Sequence, residues 1–314
     1  AMPLSRPPGP RLRPFVSLLW ASEAGSQGRH HGGRERVLPS GDIHVVMRLG
    51  HTALRIFSGA DDPLGQTIGS SIVGGARSSA YAKLVDSQDP TVGFVLRPGA
   101  ARLLLAASGL ELAERHANLE DLWPASTVAL LRERLQELDD PSAQLLALEE
   151  FLEQRLPDQQ GLNLLIVSMA SQLARGISIG CIVSCIGQSH RHLAATFARE
   201  TGLSPKLFQR VRRFNRLLDE FHSQPGSSFS GLAVQFGYAD QAHLCRDFRE
   251  FAGLTPDEYR RFAPTNPRHV PVMESDLRSD FFKTRRGTRA TSEHKGDHED
   301  DNLGSVSVSQ SVQR

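Results

Sequence analysis

Hydrophobic and polar positions change their rhythm near Pro98-Gly99. Between Arg13 and Arg97 the apolar residues come in short runs, Ile43–Met47, Ala53–Phe57 and Thr91–Leu96, divided by turn residues such as Gly50, Gly59, Pro63 and Pro90. Short runs punctuated by Gly and Pro predict strands. Their spacing, roughly 8–15 residues, favours a sheet sandwich or barrel over alternating β-α units. Beyond Pro98-Gly99, Ala100–Ala107 is aliphatic, and Ser126–Glu137 and Ser142–Leu156 carry leucines three and four apart. That period predicts helices, with Ser126 and Ser142 placed as N-caps.

Pro157-Asp158-Gln159-Gln160-Gly161 is a cluster of helix breakers and marks an expected boundary. The predicted architecture is α+β. Residues 1–12 are a flexible lead-in, and 13–157 form a β-sandwich or barrel-like sensor or dimerisation domain with trailing helices. Residues 162–263 form an all-α domain. Residues 264–314 are a tail, with disorder expected from about Thr284, where apolar residues almost vanish.

The all-α domain states one plan twice, in Ser178–Pro205 and Ser230–Pro256. In the second copy a short helix, Ser230–Phe236, leads through Gly237-Tyr238-Ala239 to Asp240, which caps a helix from Gln241 to Phe251. Leu244, Phe248 and Phe251 make its core stripe, leaving Gln241, Ala242, Cys245, Arg246 and Arg249 on the other side. In the first copy Ile179, Ile182 and Ile186 support a turn at Gly187-Gln188. Ser189 then caps a helix with Leu193 and Phe197 inward and His190, Arg191, Ala194, Ala195 and Arg199 outward. Each half is a helix-turn-helix unit, and an outward face of Arg, Gln and small side chains suits the major groove of DNA. There Arg reads guanine, Gln reads adenine and small residues permit close approach. A helix from Lys206 to Phe221, carrying Arg210, Arg212, Arg213 and Arg216, joins the halves and is expected to reach phosphates.

Composition narrows the classes. Across 314 residues, 39% hydrophobic and 23% charged, there is no apolar run of the roughly 18 residues that a membrane span needs, and no membrane partner is expected. The net charge of +1 hides a local excess, twelve Lys/Arg against eight Asp/Glu from Arg175 to Arg261, which suits a polyanion. Three cysteines and no apolar leader point to the cytoplasm, there associated with the nucleoid.

Phe236-Gly237-Tyr238-Ala239-Asp240-Gln241-Ala242-His243-Leu244-Cys245-Arg246-Asp247-Phe248-Arg249, followed by Gly253-Leu254-Thr255-Pro256-Asp257-Glu258-Tyr259-Arg260-Arg261, resembles the signature of AraC/XylS-family transcriptional regulators. The resemblance covers about a third of the chain. It implies two helix-turn-helix subdomains that insert recognition helices, about 189–199 and 240–252, into successive major grooves. By position it makes Arg191, Ala194, Gln241, Ala242, Cys245 and Arg246 base-reading residues, Arg246 foremost. His190, Arg199, Lys206, Arg210, Arg213 and Arg249 fall to phosphates and flanks. Ala195 stands where the family often has an arginine, matching Arg246, so the two units are expected to contribute unequally. The first domain resembles one regulator subgroup more weakly, through Leu38–Asp42, Phe94–Gly99 and Asn118–Trp123.

The implied partners are promoter or operator DNA, an effector or partner protein at the first domain, RNA polymerase and a second copy of the chain. Arg97 is the candidate effector contact, against the commoner role of an arginine in a structural ion pair. No cofactor and no metal are expected. Cys181 and Cys185, one helical turn apart, lack the further ligands zinc wants and read as small buried hydrophobes. Cys245 reads as an exposed thiol on a recognition helix. Two other functions compete. One is a DNA-targeted repair or modification enzyme, for which no thiol precedes Cys181 and no serine elbow is found. The other is a regulator whose first domain, through the helices of Ser126–Leu156, serves only protein interaction.

Overall fold

The short apolar runs of the first hundred residues pair into two antiparallel sheets. The computed structural model describes residues 3–25, 33–57, 62, 64–85, 89–157 and 161–272. The first sheet has six strands in the order β1 (Leu4–Arg6), β2 (Val16–Ser22), β9 (Thr91–Leu96), β4 (His44–Arg48), β7 (Ser71–Gly74) and β10 (His116–Asn118). The second runs β11 (His269–Pro271), β3 (Gly33–Val37), β8 (Tyr81–Val85), β5 (Arg55–Phe57), β6 (Gln66–Thr67). Central β9 places Phe94 opposite both Leu19 and Val45, and buries Val92, Phe94 and Leu96. A ring contact between Tyr81 of β8 and His116 of β10, centroids 4.5 Å apart, joins the two sheets.

The helices that trail the sheets are α1 (Ala101–Leu105), α2 (Gly109–Leu112), α3 (Ala125–Gln136) and α4 (Pro141–Gln154). The serines expected to cap α3 and α4 lie inside them. Asp140 caps α4 instead, accepting from the Ala143 amide at 3.0 Å, and Pro141 takes the first helical position, where no N–H is needed. Pro124 precedes α3 without a side-chain cap. Trp123 is buried, its indole N–H donating to the Leu104 carbonyl at 2.8 Å and its ring covered by Arg155, which is core packing.

Two expectations for the chain ends need correction. The lead-in is ordered as far as it is described: β1 pairs Leu4, Ser5 and Arg6 with Ala21, Trp20 and Leu19. Leu12 is fully buried, and Arg6 meets Glu149 of α4 at 2.6 Å. An apolar anchor and a half-buried ion pair outweigh the Pro-rich local sequence. Past the expected end of the helical domain the chain also returns to the sheets. His269, Val270 and Pro271 pair with Val37, Arg36 and Glu35, and Val270 is fully buried. Residues 273–314, where disorder was expected from about Thr284, lie outside the described residues, as do 158–160 of the breaker cluster.

The second half is helical throughout: α5 (Leu164–Ala174), α6 (Ile179–Ile186), α7 (His190–Thr201), α8 (Pro205–Ser223), α9 (Phe229–Gln235), α10 (Gln241–Ala252) and α11 (Pro256–Phe262). Its hydrophobic core is continuous with that of the first half. Polar ties cross between them. Arg212 of α8 donates to both carboxylate oxygens of Asp42, at 3.0 and 2.6 Å. The Asn215 side-chain amide donates to the Pro39 carbonyl at 3.0 Å, and Ala80 N–H donates to the Phe251 carbonyl at 3.1 Å. Gly41 makes the approach possible: its φ is +76°, and a Cβ there would stand 3.0 Å from a Val211 methyl.

Candidate nucleic-acid interface

Both helix-turn-helix units are built by the same local chemistry. In the first, Ser178 caps α6, Gly187 turns the chain in the left-handed region at φ +72°, and Ser189 caps α7, accepting from His192 N–H at 3.2 Å. Leu193 and Phe197 are fully buried. In the second, Ser228 caps α9 and Gly237 turns at φ +70°. Asp240 caps α10, accepting from His243 N–H at 2.6 Å. Leu244, Phe248 and Phe251 are fully buried, as the core stripe requires.

α8 holds the units together through aromatic rings along one side. Phe208 packs edge-on to Phe197 of the first unit, and Phe214 and Phe221 pack against Phe248 of the second. Beside them lies a buried carboxylate. Asp247 of α10 receives Arg210 and Arg213, each at 2.7 Å. Arg210 also grips Glu250, and these carboxylates, Glu250 first, hold its guanidinium above the ordinary arginine value. Arg213 caps the Gly237 carbonyl at 3.2 Å, so it braces the turn of the second unit as well.

The residues singled out by sequence therefore fall into two groups. His190, Arg191, Arg199, Lys206, Gln241, Ala242, Arg246 and Arg249 are exposed, on α7, at the start of α8 and on α10. Ala194 and Cys245 are half-buried, and burial pushes the Cys245 thiol up. Arg210 and Arg213 are turned inward on Asp247, and Arg212 on Asp42. Arg216 is exposed. His243 is a structural histidine: Nδ1 accepts from Ala239 N–H at 3.3 Å. Arg97 stands apart, its Nε–H donating to the Arg13 carbonyl at 2.7 Å.

Cys181 and Cys185 are a correction, since both are exposed. The core stripe of α6 runs through Ile182, with Ile179 and Ile186 partly buried, which leaves the cysteines on the far side. Sequence reasoning also missed Asp247 and Asp42. For Asp247 a signal existed: it falls within the stripe Leu244, Phe248, Phe251, where a carboxylate is tolerated only if cations meet it. Among the described residues no group of three or more His, Cys, Asp or Glu side chains could hold a metal ion. No helix there is long and apolar enough to cross a membrane.

Comparison with known proteins agrees with this geometry. Residues 182–261 match a family described as a helix-turn-helix domain, a span that begins within α6 and ends within α11. Over 131 residues the chain is 29% identical to the HTH-type transcriptional regulator VirS of Mycobacterium tuberculosis, in both strains CDC 1551 / Oshkosh and ATCC 25618 / H37Rv. The chain carries a helix-turn-helix domain similar to that of a transcriptional regulator. Residues 5–118 match a domain of unknown function (DUF6597), which takes in the strands of the first half up to β10. The match with VirS covers 41% of the chain and 38% of the length of that curated relative. Among solved structures, ToxT from Vibrio cholerae is similar at 12% identity and a TM-score of 0.42, covering 79% of this chain and 99% of that one. ToxT with a bound unsaturated fatty acid is similar at 10% identity and a TM-score of 0.41, covering 79% and 94%.

Proposed function

We propose that this protein is a non-enzymatic, sequence-specific transcriptional regulator of the AraC type that reads double-stranded DNA with α7 and α10. One observation carries the reading. Each reading helix buries its aliphatic and aromatic stripe and is capped by a side chain, while Arg191 on one and Gln241, Ala242 and Arg246 on the other stay exposed. A bidentate Arg–guanine contact is the commonest specific contact in the major groove, and Gln pairs with adenine. The basic flank, His190, Arg199, Lys206 and Arg249, then takes the phosphates. Arg210 and Arg213, having carboxylate partners, act as positioning residues that hold α10 on α8.

The first half sets the pose of the reading head. Asp42 and the Pro39 carbonyl grip α8, the one helix common to both units, so an effector or partner protein that shifts the first half acts on both reading helices together. In this reading the protein works in the cytoplasm on nucleoid DNA, with RNA polymerase and a second copy of the chain as protein partners.

Hydroxyl-radical footprinting of the full chain on fragments from its own genomic neighbourhood tests the reading. Two protected patches on one DNA face, about 10 base pairs apart, are expected. Uniform protection, or none at low salt, contradicts it.

A further inference from the structure

The eight residues of α6, Ile-Gly-Cys-Ile-Val-Ser-Cys-Ile, make a weak helix. Gly180 and four β-branched residues disfavour it, and its single fully buried side chain is Ile182. Yet α6 is the helix that props α7. Its exposed side carries Cys181 and Cys185 at i and i+4, a spacing that sets Cβ atoms about 5–6 Å apart on one face. The hydroxyl of Ser178, the N-cap, donates to the Cys181 sulfur at 3.2 Å, and the Ser184 hydroxyl is turned back to the Cys181 carbonyl at 2.8 Å.

The donor set selects its ligand. Among the described residues no third His, Cys, Asp or Glu joins the two thiols in a metal-holding group, and two thiols alone cannot close the four-coordinate shell of structural zinc. Thiolates prefer soft ions, and an ion content with two sulfurs in a line fits a pair one helical turn apart. We propose that Cys181 and Cys185 form a two-thiolate site for a soft, linearly coordinating ion of the Cu(I) or Hg(II) class, and that the bound ion staples α6. Each S–H gives up its proton to the buffer as a metal–sulfur bond forms, and neither sulfur nor metal changes oxidation state. The bridge closes one turn of a helix whose own sequence holds it poorly, and so stiffens the support of the first reading helix.

The test uses the full chain, reduced and loaded with one equivalent of Hg(II), then challenged with excess glutathione. Metal retention is read by native mass spectrometry, and amide exchange follows α6. Cys245 is the internal control, a third thiol with no neighbour of its kind. Wild type and Cys245→Ser should keep one ion per chain, and Cys181→Ser and Cys185→Ser at least about tenfold less. Exchange at residues 182–186 should slow on loading in wild type and stay unchanged in Cys181→Ser. Both single variants replace an exposed side chain with one of nearly equal size, and circular dichroism checks that they fold. Equal retention by Cys185→Ser, loss of the ion from Cys245→Ser, or exchange that does not slow in wild type overturns the proposal. These readouts involve no DNA, so they stand apart from the regulator reading.

Discussion

Arg212 and Asp42 meet in a two-pronged ion pair, 3.0 and 2.6 Å, that fastens the helix between the reading units to the turn ahead of β4. Both side chains are about three-quarters or more shielded from solvent. The parallel N–H···O bonds of such a pair give it direction as well as strength. A double-mutant cycle with Arg212→Ala and Asp42→Ala, measured by urea unfolding, should return a coupling of about 1–2 kcal/mol. Additive single effects would show that this ion pair contributes nothing to holding the two halves together.

Asp247 is expected to matter more. It is buried, and it neutralises both Arg210 and Arg213. Asp247→Ala leaves two guanidinium groups facing a carboxylate that is gone, the situation that costs about 3–5 kcal/mol when a buried ion pair loses one partner. Thermal unfolding should show a large fall in midpoint. A shift no bigger than that of an exposed residue such as Glu133 would mean that Arg210 rests on Glu250 alone.

Two left-handed glycines, Gly187 and Gly41, offer a cleaner contrast. A Cβ at Gly187 meets nothing within 4 Å, so Gly187→Ala pays only for the left-handed backbone, about 1 kcal/mol. Gly41→Ala adds the close approach to Val211 at 3.0 Å and should cost more, while loosening the Asp42 grip on α8. Equal losses in the two variants, by chemical denaturation, would argue that Val211 moves aside freely.

Acid should weaken the first half. Burial, then the neighbouring charges of Arg77, His269 and Lys83, pulls His44 down from 6.5 to about 4. The folded form therefore binds fewer protons than the unfolded form in that window, and stability falls as pH drops from 6.5 toward 4. His116, lowered to about 2 by burial and by Arg77 and His44, adds to the same slope. Glu35 works in the same direction: burial opposes its ionisation, but the His269 hydrogen bond and Lys83 outweigh it and bring it to about 2, so its contribution is lost only as pH falls below 4.5 toward that value. His44→Gln should flatten the stability profile between pH 6.5 and 4. A wild-type profile already flat there contradicts the assignment.

The helical half was legible because its signals are local. Ser189 and Asp240 announce caps, Gly187 and Gly237 announce turns, and the stripes Leu193, Phe197 and Leu244, Phe248, Phe251 announce which side is inward. In the sheets, Thr91–Leu96 was recognisable as a strand by its unbroken apolar run, whereas Gly33–Val37, with two arginines and a glutamate in five residues, carried no such mark. Pairings between distant residues left no trace in the sequence: β1 with β2, β11 with β3, and Asp42 with Arg212 across 170 positions. The same limit applied to the reading head. Arginines 210, 212 and 213 looked alike in sequence, and only the fold separates inward-turned ones from exposed Arg216.

The central claim is direct base reading by α10, and Arg246→Ala tests it with least ambiguity because the side chain is exposed and the fold does not depend on it. Fluorescence anisotropy over a salt series should compare wild type and variant on the best-binding genomic fragment and on a scrambled duplex. The account predicts a loss of about 1–3 kcal/mol on the specific fragment, little change on the scrambled one and an unchanged unfolding midpoint. Equal weakening on both duplexes would make Arg246 a phosphate contact, and no effect on either would remove α10 from the reading head.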